Sequence, residues 1–351
     1  MKTKITGRSR WLCTFLSVPL LLTGLFGFAT AHAKDFVIAS WGDPYKACWA
    51  ESIIPEFETK HGVEVVYTEG FSSKTLGKLR AQKAKPEIDI AMFDDGPFYQ
   101  AVQLGLMQEL DFSKLPNAND LYAMAQEPKP HGILFAAAGT GLWYNTKIFK
   151  EKGWAPPTSW TDLFRPEFNK RISTHTISNS NGLMVLRAMN DLGGGKEPEN
   201  MDPGFAKMKE LAKIVVTFDQ FGETPTLIQQ ESTVMGPWNN DRVWNLANKG
   251  VPIDFVFPKE GVYGWREAIA IPKGRPADSV AMAHDFINMM LSKKQQQHNA
   301  KCIGFFPMTR AVTGYGTEED ISNMKLTDWG KLNKYRPGWA ERWAKEVERR
   351  Q

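Results

Sequence analysis

The sequence predicts an α/β protein built in two halves. Three observations carry that expectation. Short β-branched runs alternate with amphipathic segments from Asp35 onward, which is the pattern of βαβ units around a parallel sheet. A glycine-containing apolar stretch near residues 139–141 interrupts the alternation, and the late run 267–271 (EAIAI) reads as a strand returning to the first half. About 318 residues follow Ala33, more than one hydrophobic core usually organises.

The first 33 residues read as an export signal. Met1 to Arg10 carries Lys2, Lys4, Arg8 and Arg10 without an acid, and residues 11–28 are largely apolar. Ala29-Thr30-Ala31-His32-Ala33 then ends in the small-x-small pattern that signal peptidase cleaves, so residues 1–33 are expected to be removed. Ser17, Pro19, Thr23 and Gly24 break the apolar run, which argues against a membrane anchor. No cysteine ends the run, so no lipid anchor is expected. The chain has 43 basic and 39 acidic residues, and all four excess cations precede Ala33. The remainder is formally neutral, which excludes a basic nucleic-acid binder. Cys13 leaves with the signal, while Cys48 and Cys302 enter an oxidising compartment. Whether they pair stays open, because sequence does not give the Cα separation.

Along the chain, residues 35–40 predict a strand and residues 45–61 one helix, with Ile53, Ile54 and Phe57 at helical spacing and Gly62 ending it. Residues 63–68 and 88–93 predict strands, and 74–85 and 98–104 helices. Residues 131–145 read as two strands joined by a small-residue crossover at Gly139 and Gly141, a candidate hinge. A second α/β region runs to about Gly264. It holds a turn at 160–168, helices at 182–192, 203–215 and 241–249, and strands at 232–236 and 253–257. Residues 278–291 form an amphipathic helix, and the polar tail from Asp320 is helical, with Trp329, Trp339 and Trp343 to dock it.

Several runs in this chain carry a resemblance. They are the opening strand followed by Trp41, the run Thr59-Lys60-His61-Gly62-Val63-Glu64-Val65, and Thr158-Ser159-Trp160-Thr161-Asp162-Leu163. The most specific is Gly250-Val251-Pro252-Ile253-Asp254-Phe255-Val256-Phe257-Pro258-Lys259-Glu260-Gly261, followed closely by Trp265. On these runs the chain resembles the bacterial family-1 extracellular solute-binding proteins, in their spermidine/putrescine-binding branch. The resemblance implies a two-lobed periplasmic-binding-protein fold of the type II kind, hinged on crossover strands, with the ligand in the interlobe cleft. It places residues 34–138 and 268–306 in lobe 1, and residues 139–267 and 307–351 in lobe 2. It further implies a monomeric periplasmic component of an ABC importer. Such a component captures a small amine or zwitterion for a membrane permease, catalyses nothing and needs no cofactor or metal.

The same resemblance selects the candidate cleft residues. Trp41 is an aromatic wall, since indole faces attract ammonium groups. Trp238 and Trp265 match positions that sandwich a ligand's carbon chain, and Tyr263 and Phe305 are weaker candidates. Asp94 and Asp95 end a strand; Asp94 is assigned to the ligand and Asp95 to capping the next helix. The positions where the polyamine binders carry amine-holding acids fall on Asn179 or Ser180, and on Leu183, so those acids are missing here. Neutral groups at a helix N-terminus suit a carboxylate instead. Glu267 matches the amine-gripping carboxylate. Arg266 replaces a neutral residue and is a candidate for a ligand carboxylate, although strand neighbours face opposite ways. One retained acid and one lost acidic pole point to a short ω-amino acid or a loosely held polyamine.

Other classes fit less well. The chain has no H-E-x-x-H, G-x-S-x-G or P-loop, and its six histidines are scattered, so no catalytic set assembles. A ferric-ion carrier on the same fold needs clustered anionic oxygens. It would also resemble carriers with an adjacent tyrosine pair, which this chain lacks. A sugar or another small organic solute stays open, because sugars also stack on tryptophan.

Overall fold

The computed structural model describes residues 34–220, 222–332 and 334–348. The expected signal peptide lies outside the described residues. Within them, no helix is long and apolar enough to cross a membrane.

Strands β1 (Lys34–Ser40), β2 (Val63–Glu69) and β3 (Ile90–Asp94) pair in parallel, with β1 in the middle. Helices α1 (Tyr45–Ala50) and α2 (Ile53–His61) join β1 to β2, α3 (Ser72–Ala81) joins β2 to β3, and α4 (Asp95–Gln103) follows. The single helix expected over residues 45–61 is therefore two. Pro55 explains the break, since inside a continuous helix its ring would clash with the carbonyl four residues back. In the first turn of α2 its missing N–H costs nothing. Gly62 ends α2 in the left-handed conformation at φ 64°, as the sequence predicts.

Residues 131–145 depart from expectation more usefully. They form one strand, β4 (Ile133–Asn145), and not two strands around a crossover. Its glycines admit neighbours and do not break the strand. A Cβ on Gly141 would sit 2.5 Å from the Phe255 ring and 2.7 Å from the Val256 carbonyl oxygen.

The second region adds α5 (Thr146–Lys152), β5 (Ile172–His175), α6 (Ser180–Leu192), α7 (Asp202–Ala212) and β6 (Val215–Asp219). It continues with α8 (Thr224–Gln229), β7 (Met235–Asn239), α9 (Asn240–Ala247) and β8 (Ile253–Val256). Strand β9 (Tyr263–Ala270) then runs antiparallel to both β3 and β4. The principal sheet order is β2-β1-β3-β9-β4-β7-β5-β6, with β8 also paired to β4. Strands β4 and β9 therefore tie the two parallel units, β2-β1-β3 and β7-β5-β6, into one sheet.

Two hydrophobic cores result. Phe36, Phe57, Phe93, Phe135 and Phe286 belong to the first, and Leu142, Trp160, Leu186 and Phe205 to the second. Strand β4 supplies Phe135 to one core and Leu142 to the other, and β9 supplies Ala268 and Tyr263 in the same way. Helices α10 (Ala277–Met290) and α11 (Lys293–Cys302) cover the first core. Short β10 (Phe306–Pro307) joins β4 and β11 (Lys325–Leu326) joins β9. The tail holds α12 (Glu318–Ser322), α13 (Trp329–Leu332) and α14 (Arg336–Glu346), and Trp339 and Trp343 dock into the second core as expected.

Cys48 and Cys302 are disulfide-bonded, with their Cα atoms 5.9 Å apart. The bond fastens α1 to α11, which Trp49 reinforces by donating from Nε1 to Asn299 Oδ1 at 3.0 Å.

Candidate functional site

A cavity of about 1210 Å³ opens where the chain leaves β1, β2 and β3 and meets the ends of β5, β6 and β7. Six of the sequence-predicted residues line it: Trp41, Asp94, Asn179, Ser180, Trp238 and Trp265. They come from five separate segments, so the sheet order is what brings them together.

Glu267 lies in the wall behind them. It is fully buried, and Tyr45 donates its hydroxyl to Oε1 at 3.4 Å. Its other oxygen, Oε2, has no hydrogen-bond partner among the described residues. Burial, and then the nearby charges of Asp94 and Asp241, push its carboxyl well above the usual range. Asp94 stands directly opposite Glu267 across the antiparallel β3–β9 pair. Asp94 Oδ2 accepts from the Ser72 hydroxyl at 2.8 Å, and burial raises its pKa to about 6.

Arg266 does not reach the cavity. Strand alternation turns it to the opposite face of β9, where its guanidinium donates to Glu127 and lies 3.6 Å from Asp95 Oδ2. Its assignment to a ligand carboxylate is thereby corrected. Asp95 is corrected too, because its carboxylate faces Arg266 while Asp94 occupies the cap position of α4. Tyr263 is buried and donates its hydroxyl to Asp191 at 2.6 Å, so it is part of the packing. Phe305 is buried against Tyr45, with ring centroids 5.1 Å apart, and supports the wall from behind.

Asn179 caps α6. Its Oδ1 accepts from the Asn181 backbone N–H at 2.9 Å, which leaves the amide nitrogen available to the cavity. Asn181 Oδ1 accepts from the Thr140 hydroxyl at 2.9 Å, fixing the start of α6 against β4.

Sequence reasoning missed three cavity residues that change its chemistry, Tyr45, Asp219 and Asp241, and placed a fourth, His175, only near a cleft loop. Tyr45 packs on Trp41 with centroids 5.0 Å apart and extends the aromatic wall. Asp241, three residues after Trp238, reads as a helix cap in sequence. In the structure Asn239 holds the cap position, and Asp241 sits buried in the first turn of α9. Its Oδ1 is unpartnered among the described residues, and burial raises its pKa against the opposing pull of Arg242. Asp219 ends β6 and accepts from the backbone N–H groups of Gly222 at 2.6 Å and Thr224 at 2.8 Å. Burial raises its pKa, but hydrogen bonds led by those of Glu223 and Thr224 hold it below the usual carboxylate range. His175 stacks on Trp238 and is buried, which lowers its pKa to about 4 despite Asp219 3.9 Å away.

The acidic pole that the sequence places nowhere is thus supplied by other elements. Asp43, Glu69, Asp94, Asp219 and Asp241 line the cavity against the cations Lys74 and Arg242. Such a lining favours cationic ligands, and its tryptophan faces favour the alkyl chain between charged ends. No three His, Cys, Asp or Glu ligand atoms in the cavity lie close enough together to share a metal. The one such cluster among the described residues is Cys48, His298 and Cys302, whose cysteines are joined by the disulfide.

Comparison with known proteins agrees with this geometry. The family model for bacterial extracellular solute-binding proteins matches residues 52–323. The spermidine/putrescine-binding periplasmic protein 1 of Haemophilus influenzae is 28% identical over 292 residues, covering 79% of this chain and 76% of that protein. The spermidine/putrescine-binding periplasmic protein of Escherichia coli is 25% identical over 289 residues, covering 80% of each. Among solved structures, a spermidine/putrescine ABC transporter substrate-binding protein from Streptococcus pneumoniae superposes with a TM-score of 0.71 at 19% identity. It covers 90% of this chain and 99% of that one. An ABC transporter substrate-binding protein from Bradyrhizobium japonicum gives a TM-score of 0.66 at 20% identity, covering 90% of this chain and all of the other. Family, fold and cavity agree: the chain belongs to the bacterial extracellular solute-binding proteins, which bind and do not catalyse.

Proposed function

We propose that this protein captures a small amine in the cleft between its halves and delivers it to the membrane permease of an ABC importer. It acts in the periplasm as a monomer after removal of residues 1–33. The observation that carries the reading is the carboxylate group of Asp94, Asp241 and Glu267, of which Asp241 and Glu267 are buried and Asp94 half-buried. It includes two oxygens without a partner among the described residues and lies beside the aromatic wall of Trp41, Tyr45, Trp238 and Trp265. An ammonium group supplies the missing donors, and each such charge-assisted hydrogen bond is worth about 1.5–3 kcal/mol. The carbon chain lies against indole faces, where cation–π attraction adds about 0.5–2 kcal/mol. Closure brings residues 139–267 and 307–351 onto residues 34–138 and 268–306, bending at β4 and β9.

A second reading, a short ω-amino acid, is favoured by Arg242 and Lys74 in the same cavity. In it the ammonium occupies the acidic wall and the carboxylate faces a cation or the N-terminus of α6 beside Asn179 and Ser180. A thermal-shift screen of diamines, ω-amino acids, sugars and metal ions tests both. A ligand at 100 times its Kd stabilises the protein by about 2.7 kcal/mol. Stabilisation by neutral sugars or ferric ion, with none from any amine, would sink the proposal.

A further inference from the structure

The acids behind the cavity carry an unbalanced charge, and its balance has a consequence for binding. Asp94 and Glu267 are opposed on β3 and β9, an arrangement that sets side chains about 5 Å apart. Asp241 approaches from α9, and its charge acts on Glu267. The groups that face these acids are few. Tyr45 of α1 donates to Glu267, the Trp265 indole on β9 faces the same carboxyl, and Ser72 at the start of α3 donates to Asp94. Tyr67 of β2 turns its hydroxyl to the Trp41 carbonyl oxygen at 2.7 Å. Arg242 of α9 lies 3.5 Å from Asp241 Oδ2, but its side chain is 55% exposed. Arg266, the cation nearest in sequence to Glu267, is committed to Asp95 and Glu127 on the other face of β9. Lys74 of α3, exposed at the cavity, is the other cation, so three acids face two solvated cations, with Glu267 Oε2 and Asp241 Oδ1 unpartnered among the described residues. Buried like charges in this proportion do not all stay ionised, and they titrate as a group.

We propose that the empty Asp94–Asp241–Glu267 cluster holds one proton, which an ammonium ligand displaces to solvent, so that capture is an exchange of a cation for a proton. This rests on the amine reading above. The arriving N–H groups donate where the carboxylic O–H did, and the released proton passes to the buffer. The cluster thereby discriminates by charge, because a neutral polyol cannot compensate three carboxylates and leaves the proton in place. The raised carboxyls of Asp94 and Glu267 fit this arrangement. Amine affinity then falls with pH, by up to about tenfold for each pH step below the midpoint of the empty cluster.

Two measurements on the mature protein test it. Carbon-13 carboxyl titration of the ligand-free protein is expected to show a cluster carboxyl with its midpoint near or above pH 6. That midpoint should move down in Asp241→Asn, which removes a neighbouring charge. Calorimetry with putrescine at a pH at or below that midpoint, in two buffers of different ionisation heat, is expected to give heats that differ by the buffers' ionisation heats, in the direction of proton release. Cluster carboxyls that all titrate in the ordinary acidic range would overturn the proposal, as would equal heats in the two buffers. A raised midpoint in a protein that ignores putrescine overturns the exchange through the amine reading, whereas equal heats with tight binding overturn the exchange alone.

Discussion

Arg266 and Glu267 are neighbours on β9, and the strand sends them to opposite environments, so substituting each should have opposite effects. Arg266→Met removes the guanidinium that lies 3.6 Å from Asp95, whose side chain is 7% exposed. Removing one partner of a buried pair costs about 3–5 kcal/mol, because the remaining charge is left without compensation. The contact with Glu127 adds little, since Glu127 is half-exposed. Asp95 can take up a proton and limit the penalty, which places the expected loss near the lower figure, about 3 kcal/mol. Amine affinity should be unchanged, because Arg266 does not line the cavity. Glu267→Gln keeps the shape and removes a buried carboxyl whose ionised form no cation beside it supports. Stability should therefore hold or rise, while putrescine affinity falls by about 1.5–3 kcal/mol, roughly 10- to 150-fold. Urea unfolding at neutral pH measures the first quantity and calorimetric titration the second. A stable Arg266→Met protein that has lost the ligand would refute the face assignment, and with it the placement of Glu267 behind the cavity.

Four further outcomes are expected. Trp265→Ala should keep a cooperative urea transition while weakening putrescine by at least tenfold, since Trp265 is a half-buried cavity residue; unchanged affinity would move it to the packing. Gly236→Ala should lower unfolding free energy by about 1–3 kcal/mol, because its Cβ would lie 2.2 Å from the Ser173 carbonyl oxygen; a neutral result would mean that β5 and β7 are less closely packed. His175, held at about 4, is neutral in the fold and takes a proton more readily when unfolded. Stability should therefore decline by about 3 kcal/mol as pH falls from 6.5 to 4, and His175→Gln should flatten the pH dependence of the urea midpoint. Reducing Cys48–Cys302 should cost about 2–5 kcal/mol in urea unfolding and raise amide exchange in α1 and α11, and identical exchange in both redox states would contradict the bracing role.

Most of the parallel units was legible because each strand is β-branched and each helix carries an apolar stripe. What escaped did so for physical reasons. Helix α11 (KKQQQHNAKC) buries Gln295, Gln296 and Asn299, and satisfies them through hydrogen bonds such as Gln296 Nε2 to the Met290 carbonyl oxygen at 3.0 Å. No apolar period marks such a helix. Strand β5 has four residues, and β6 begins at Val215, where a helical stripe appeared to continue from α7. That misreading concealed Asp219 at the end of β6. Trp41, Trp238 and Trp265 were reachable because the family resemblance matches them to ligand-lining positions. Asp241 was not, because an acid in the first turn of a helix is the commonest use of an acid there. Its unpartnered oxygen becomes visible only when β9 brings Glu267 alongside.

A crystal structure of the mature protein grown with a diamine bears most directly on the account. An ammonium nitrogen within hydrogen-bonding distance of Glu267 Oε2 or Asp241 Oδ1, with its alkyl chain between Trp238 and Trp265, is the predicted result. A diamine bound away from those oxygens, with both carboxylates still unpaired beside an empty cleft, would contradict it.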